Sequence, residues 1–147
     1  YGMNSKNKFV ADWFEFNLNI NNILTALTCR KYGWDVKSAI IGDNIVAETI
    51  RNSVSARDFN LKTEIDYFDA LVSISETANL LDREHRIDAL KWNWLVERTF
   101  FDTFTIESVL SFWLRCELMH RWDNLSMEEG AEIFRQMIND LKKDVKF

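Results

Sequence analysis

Along residues 16–21, "FNLNIN", apolar and polar residues alternate strictly. Taken alone, that alternation is the mark of a half-buried strand. A wider window gives a different result. At 100° per residue, Phe9, Trp13, Phe16, Ile20, Ile23, Leu24 and Leu27 fall within about 50° of one line. Leu18 joins Val10 and Phe14 in a second apolar lane. The alternation is therefore two lanes of one helix, predicted from about residue 6 to 32. Gly33 is its C-terminal stop, and Arg30 and Lys31 suit its last turn. The asparagines inside this helix cost about 2 kcal/mol in propensity, which a stripe of large buried side chains readily offsets. Asn19 and Asn22 share a flank with Asp12, Glu15 and Arg30. That flank is either a solvated face or an amide edge that bonds a neighbouring helix or subunit.

The same reading extends along the chain. A short turn or helix is expected at 36–42, and a helix at 44–54 with Asp43 as N-cap. Thr63 caps a helix to about 78, Asn79 restarts one to about 101, and Thr105 opens one to about 123. Ser126 and Glu129 form a capping box for a last helix at 127–144. Its stripe is Met127, Ala131, Phe134, Met137, Ile138, Leu141 and Val145, while Lys142, Lys143 and Lys146 are expected in solvent. The helix from 79 has two apolar sides. Leu80, Ile87, Leu90, Trp94, Leu95 and Phe101 face one way, and Ala89, Trp92, Val96 and Phe100 the other. This suits a central helix, or one that also meets a partner. The chain contains no proline and has only four glycines, so residues 43–129 lack both punctuators. The expectation is an all-α bundle of about six helices, forming one domain over residues 1–147.

Composition narrows the function. A net charge of −5 with a pI near 5.1 disfavours a general nucleic-acid binder. No apolar run reaches a bilayer-spanning length and no leader pattern is present, so a cytoplasmic location is expected. The chain starts at Tyr1, with its first methionine at Met3, and is expected to be part of a longer polypeptide lacking its N-terminal portion. Cys29 and Cys116 lack metal-ligand spacing and suit two reduced, buried thiols. His85, in the run DREHR, reads as solvated. His120, on the stripe of Val109, Leu110 and Trp113, reads as a core histidine rather than a metal ligand. Glu117 projects beside Trp113 and Leu110, with Arg121 one turn on. The two form a buried structural pair, or Glu117 is held for a partner. No phosphate loop, HExxH, GxSxG, EF-hand or paired ExxH motif is present, so neither catalysis nor a cofactor is expected.

Two stretches carry a family resemblance. "NLNINNILTALTCRKYGWD" (17–35) resembles the helix and turn of the C (or d) subunit of V/A-type ATP synthases, with Asn22, Ile23, Thr25 and Gly33 matching without a gap. "TIESVLSFWLRCELMHRWDNL" (105–125) resembles a later helix of that protein through Val109, Leu110, Arg115 and Glu117. Residues 23–35 and 109–123 also echo one another in texture. The chain as a whole is similar to an uncharacterised bacterial family associated with V-type ATPase gene clusters. Asn19 stands where the synthase protein tends to have Asp, and Thr28 where it tends to have Arg, with the positive charge two residues later at Arg30. A salt bridge of that family is thus expected to be a neutral amide contact here. The resemblance implies a non-catalytic adaptor between the soluble central stalk and the proteolipid rotor ring. It would touch the membrane only through that complex. Asn22, Arg30, Lys31 and Trp34 are the first candidates for partner contact, and Arg115, Glu117 and Arg121 the second. Helix packing or capping accounts for each of them equally well. The other readings are a soluble helical scaffold with an unrelated partner, which would expose an aromatic patch, and a bundle that encloses a small-ligand pocket.

Overall fold

The computed structural model describes residues 2–123 and 127–144. Every regular element among them is helical. A 3-10 turn at Gly2–Asn4 is followed by α1 (Lys8–Tyr32), α2 (Val36–Ala39), α3 (Ile45–Asn52), α4 (Phe68–Ser75), α5 (Leu80–Arg98), α6 (Ile106–Asp123) and α7 (Met127–Asp144). The all-α expectation therefore holds. The chain divides into two compact units, Tyr1–Lys91 and Trp92–Phe147. The division falls inside α5.

The first unit is organised by α1, a rod about 37 Å long at 1.5 Å per residue. The N-terminal 3-10 turn, α2, α3 and α4 all pack on it. Its predicted stripe is its core face: Phe9, Phe16, Ile20 and Ile23 are buried, and Ala26 and Cys29 extend the same line. "FNLNIN" is helix throughout. The Asn7 side chain accepts the Val10 N–H at 3.1 Å and caps the start of α1. Gly33 ends it at φ 70°, in the left-handed region that favours glycine.

Both asparagines of interest are buried, so the solvated-face reading of that flank is replaced by the amide-edge one. Asn22 Nδ2 donates to the Ile41 carbonyl at 2.8 Å, and its Oδ1 accepts the Ile41 N–H at 3.1 Å. One side chain thus satisfies both backbone groups of a residue outside any helix. Asn19 Oδ1 accepts from Asn44 Nδ2 at 2.7 Å, and Asn44 also donates to Glu15 at 3.2 Å. The contact at Asn19 is thus between two neutral amides.

Helix starts differ in two places. The N-cap of α3 is Asn44, whose Oδ1 accepts the Ala47 N–H at 3.2 Å, and not Asp43. The helix expected from Thr63 begins only at Phe68, with no side-chain cap. Residues 53–67 instead run through successive turns, such as Ala56 N to Ser53 O at 3.0 Å and Leu61 N to Asp58 O at 2.9 Å. Leu61, Ile65 and Phe68 are all buried, at spacings of four and three. Those spacings mimic a helix in the sequence. Phe59 and Asn60, at φ 52° and 58°, break any helix upstream of them.

In the second unit, α5 and α6 are tied at the Leu95 carbonyl. Thr99 Oγ1 lies 2.8 Å from that oxygen, Ser111 Oγ lies 3.2 Å from it, and the two hydroxyls are 3.1 Å apart. Thr105 caps α6 as predicted, with its hydroxyl accepting the Ser108 N–H at 3.2 Å. Asn79 likewise caps the start of α5, accepting the Leu81 N–H at 2.9 Å. Only the middle of α5 behaves as a central helix: Ile87 and Leu95 are buried, whereas Leu80, Phe100 and Phe101 are exposed. The α7 span agrees with the expectation. Ser126 and the side chains of Met127, Glu129, Leu141 and Lys143 lie outside the described residues, as do Val145 and Lys146.

Candidate functional site

The end of α1 sorts the first set of candidate residues into two kinds. Arg30 turns inward. Its guanidinium donates to the carbonyls of Arg57, Val54 (3.1 Å) and Ala56 (2.7 Å) and lies 3.7 Å from the centre of the Phe59 ring. It supplies the donors that the 53–60 turns lack, and Phe59 beneath it is fully buried. Desolvation lowers the pKa of Arg30 from its ordinary value, and Asp58 opposes that shift. The guanidinium remains charged at any physiological pH. Arg30 and Asn22 are thus committed to bonds within the chain.

Lys31 and Trp34 turn outward. The glycine stop brings the Trp34 N–H back to the Cys29 carbonyl at 2.8 Å. This reversal lays the Trp34 indole against Tyr32, with ring centres 5.3 Å apart and 28° between planes. Lys31 Nζ sits 5.7 Å from the Tyr32 ring centre. Both rings are largely in solvent, at 60% and 63% exposure. The result is a small cation-bearing aromatic platform. Sequence reasoning finds Lys31 and Trp34 but misses Tyr32, because a tyrosine in a last helical turn carries no distinctive signal.

The second set lies on α6. Arg115 is half-buried over Trp92 (5.3 Å) and Phe112 (6.0 Å), and its Nε donates to the Ser111 carbonyl at 3.4 Å. Arg121 is exposed, 5.4 Å from the Trp122 ring centre. Glu117 is exposed, which removes the buried-pair reading of this residue. His120 is also exposed, so it is no core histidine, and His85 is exposed as expected. Helical projection places Glu117 and His120 beside Trp113, but Trp113 itself faces solvent. The apolar side of α6 is simply not covered there. Cys29 is buried, whereas Cys116 is only partly so.

That uncovered surface is the main feature of the second unit. Ile106, Val109, Phe112 and Trp113 on α6 are exposed, as are Ile133, Phe134, Met137 and Ile138 on α7. The described part of the predicted α7 stripe is therefore an open apolar face. Between α5 and α6, Phe100, Phe101 and Phe104 project from the turn. Sequence reasoning assigns Phe100 and Phe101 to helix faces and passes over Phe104. The signal available was three phenylalanines in five residues, interleaved with Asp102 and Thr103.

Chemistry of other kinds finds little material. Among the described residues, no group of three or more His, Cys, Asp or Glu side chains is placed to hold a metal ion. Nor, among them, is any helix long and apolar enough to cross a membrane. What the arrangement offers is surface: an aromatic platform at the end of α1, and apolar faces and a phenylalanine-rich turn in the second unit. No curated protein and no solved structure matches the chain. Residues 1–145 match the family described as protein of unknown function, DUF2764, and the chain belongs to that family.

Proposed function

We propose that this chain is a non-catalytic adaptor of a V-type ATPase or ATP synthase, linking the soluble central stalk to the membrane rotor ring. The observation that carries the protein-binding part of this reading is the open apolar face of α7, continued in kind by the exposed side of α6. Burying a large apolar side chain stabilises by about 1.5–3 kcal/mol. A row of them left in water is a strong drive for association. The identity of the partner rests on the resemblance of residues 17–35 and 105–125 to the stalk-to-ring adaptor of V/A-type ATP synthases. Two residues of the first stretch have structural duties here: Asn22 bridges to Ile41, and Gly33 ends the long helix. A torque-bearing part needs stiffness, and α1 with its saturated polar contacts supplies a stiff rod.

The test is affinity purification of the tagged full chain from its native cells in mild detergent. The expected result is recovery of stalk and proteolipid-ring proteins in fixed ratio, reduced about tenfold by Phe134→Ser with Met137→Ser. Reproducible absence of the chain from the assembled rotary complex would remove the ATPase assignment. A helical scaffold for an unrelated protein would use the same open faces, and recovery of a different stable partner would favour it.

A further inference from the structure

α7 is a helix without a cover. It runs for 18 residues, and every side chain described on it is exposed. A helix of this length draws most of its stability from packing an apolar face. The apolar positions of α7 have the spacing of a coiled-coil seam. Met127, Ala131, Phe134, Ile138 and Leu141 recur at alternate steps of four and three. That repeat keeps one face turned toward a single long helix laid alongside it. Phe134, at 64% exposure, and Ile138 stand on the seam, with Met137 beside it at 61%.

Register and charge select the occupant. At 100° per residue, one flank of the seam carries Glu128 and Glu132 in its first half and Arg135 and Lys142 in its second. The other flank carries Gly130, Ile133 and Met137, with Asp140 and Asp144 toward its end. An antiparallel copy of the same helix answers this pattern. It sets the first flank against itself reversed, so that position 128 stands level with 142, and Arg135 lies within a turn of Glu132 of the other copy. The same register sets Phe134 against Ile138 and Ala131 against Leu141, large against small. It centres on Gln136, at the middle of Met127–Asp144, so the whole helix is used. A parallel pair would set Arg135 and Lys142 against Gly130 and Met137, and would stack Ala131 on Ala131 and Phe134 on Phe134. An anionic membrane is a poor cover, because α7 has five acids against three bases. We propose that α7 is a self-association helix, whose apolar face in the free chain is covered by α7 of a second copy, running antiparallel about an axis near Gln136. The pair goes beyond the adaptor reading and describes the free chain. A stalk or ring protein taking the same face would separate it.

Sedimentation equilibrium on the purified full chain reads the pairing. The expected mass is that of two chains, falling to one on dilution. Phe134→Ser raises the dissociation constant about tenfold or more. Two charge variants give the sharper reading. Arg135→Glu with Lys142→Glu makes the flank wholly acidic, and Glu128→Lys with Glu132→Lys makes it wholly basic. Each is monomeric alone, and the two mixed form a heterodimer, which also demonstrates that both fold. Carbodiimide treatment of mixed isotope-labelled and unlabelled parent chain joins Glu128 or Glu132 of one copy to Lys142 of the other. Those residues lie about 15–21 Å apart along one helix, out of reach within a single copy. A single-chain mass at every concentration overturns the inference, whether α7 folds back on its own chain or is kept for another protein. So does a pair that Phe134→Ser leaves intact, a charge mixture that stays monomeric, a pair without those cross-links, or pelleting with phosphatidylglycerol vesicles in place of pairing. A purified monomer that still recovers rotary-complex proteins from cells would sink the pair and spare the adaptor. A pair with no such recovery would do the reverse.

Discussion

The unit ending at Lys91 and the unit beginning at Trp92 use similar residues in opposite ways. In the first, Phe16, Ile20, Ile23, Phe59, Leu61 and Leu71 are at most 4% exposed, and asparagine and arginine side chains close the backbone around them. In the second, Leu95 is the one large apolar side chain among the described residues that is buried, and Phe101, Phe104, Trp113 and Phe134 stand in water. Both units are helical, so the contrast does not lie in secondary structure. It lies in whether a helix finds a covering element within its own unit. The first unit carries a finished core, and the second leaves most of its large apolar side chains, among the described residues, open to solvent.

Substitutions sharpen that contrast. The largest effect is expected for Phe59→Ala, which empties a fully buried site and removes the ring beneath Arg30. About 4 kcal/mol should be lost in urea denaturation followed by circular dichroism. Arg30→Met comes next, at roughly 2–3 kcal/mol, because it keeps the stem but deprives three turn carbonyls of a charged donor. Asn22→Ala should cost roughly 1–3 kcal/mol by leaving the Ile41 N–H and carbonyl unpaired.

A smaller effect is expected with pH. Tyr67 meets Phe16 edge to face at 5.0 Å. Its pKa is raised above the ordinary 10.0, chiefly by desolvation and further by Glu15, while its hydrogen bond with Asn19 opposes the shift. The folded chain therefore holds the phenolic proton more tightly than the unfolded chain. That stability is present below about pH 10 and is lost as pH rises through the folded pKa. Melting temperatures between about pH 9 and 11 should fall in the parent and fall less in Tyr67→Phe. The smallest effect is expected in the second unit: Phe104→Ala should change stability by less than about 0.5 kcal/mol. A loss near that of Phe59→Ala would break the comparison, since Phe104 would then be a core residue.

Periodicity makes the helices legible wherever a long stripe is present. α1, α5, α6 and α7 begin and end close to where the stripe and caps put them, and Gly33 and Thr105 act as read. The segment after Ser53 misleads because Leu61, Ile65 and Phe68 keep helical spacing while turns carry them. Nothing local in the sequence announces that Arg30 will satisfy the carbonyls of those turns. The same limit applies to single residues. Asn22 reads equally well as surface until Ile41 folds against it, and Glu117 and His120 read as buried because projection on α6 assumes that its apolar side is covered.

The sequence by itself determined the all-helical class, the two-lane reading of "FNLNIN", the glycine stop and the caps at Asn79 and Thr105. These depend on contacts within a few residues, where geometry is fixed by the repeat of the helix. Only the tertiary structure decided which polar side chains were spent inside, which helix faces remained open, and that three phenylalanines would share one turn. Those outcomes depend on residues tens of positions apart, such as Arg30 with Val54 and Asn22 with Ile41. A local pattern cannot record them, because burial belongs to the partner as much as to the residue.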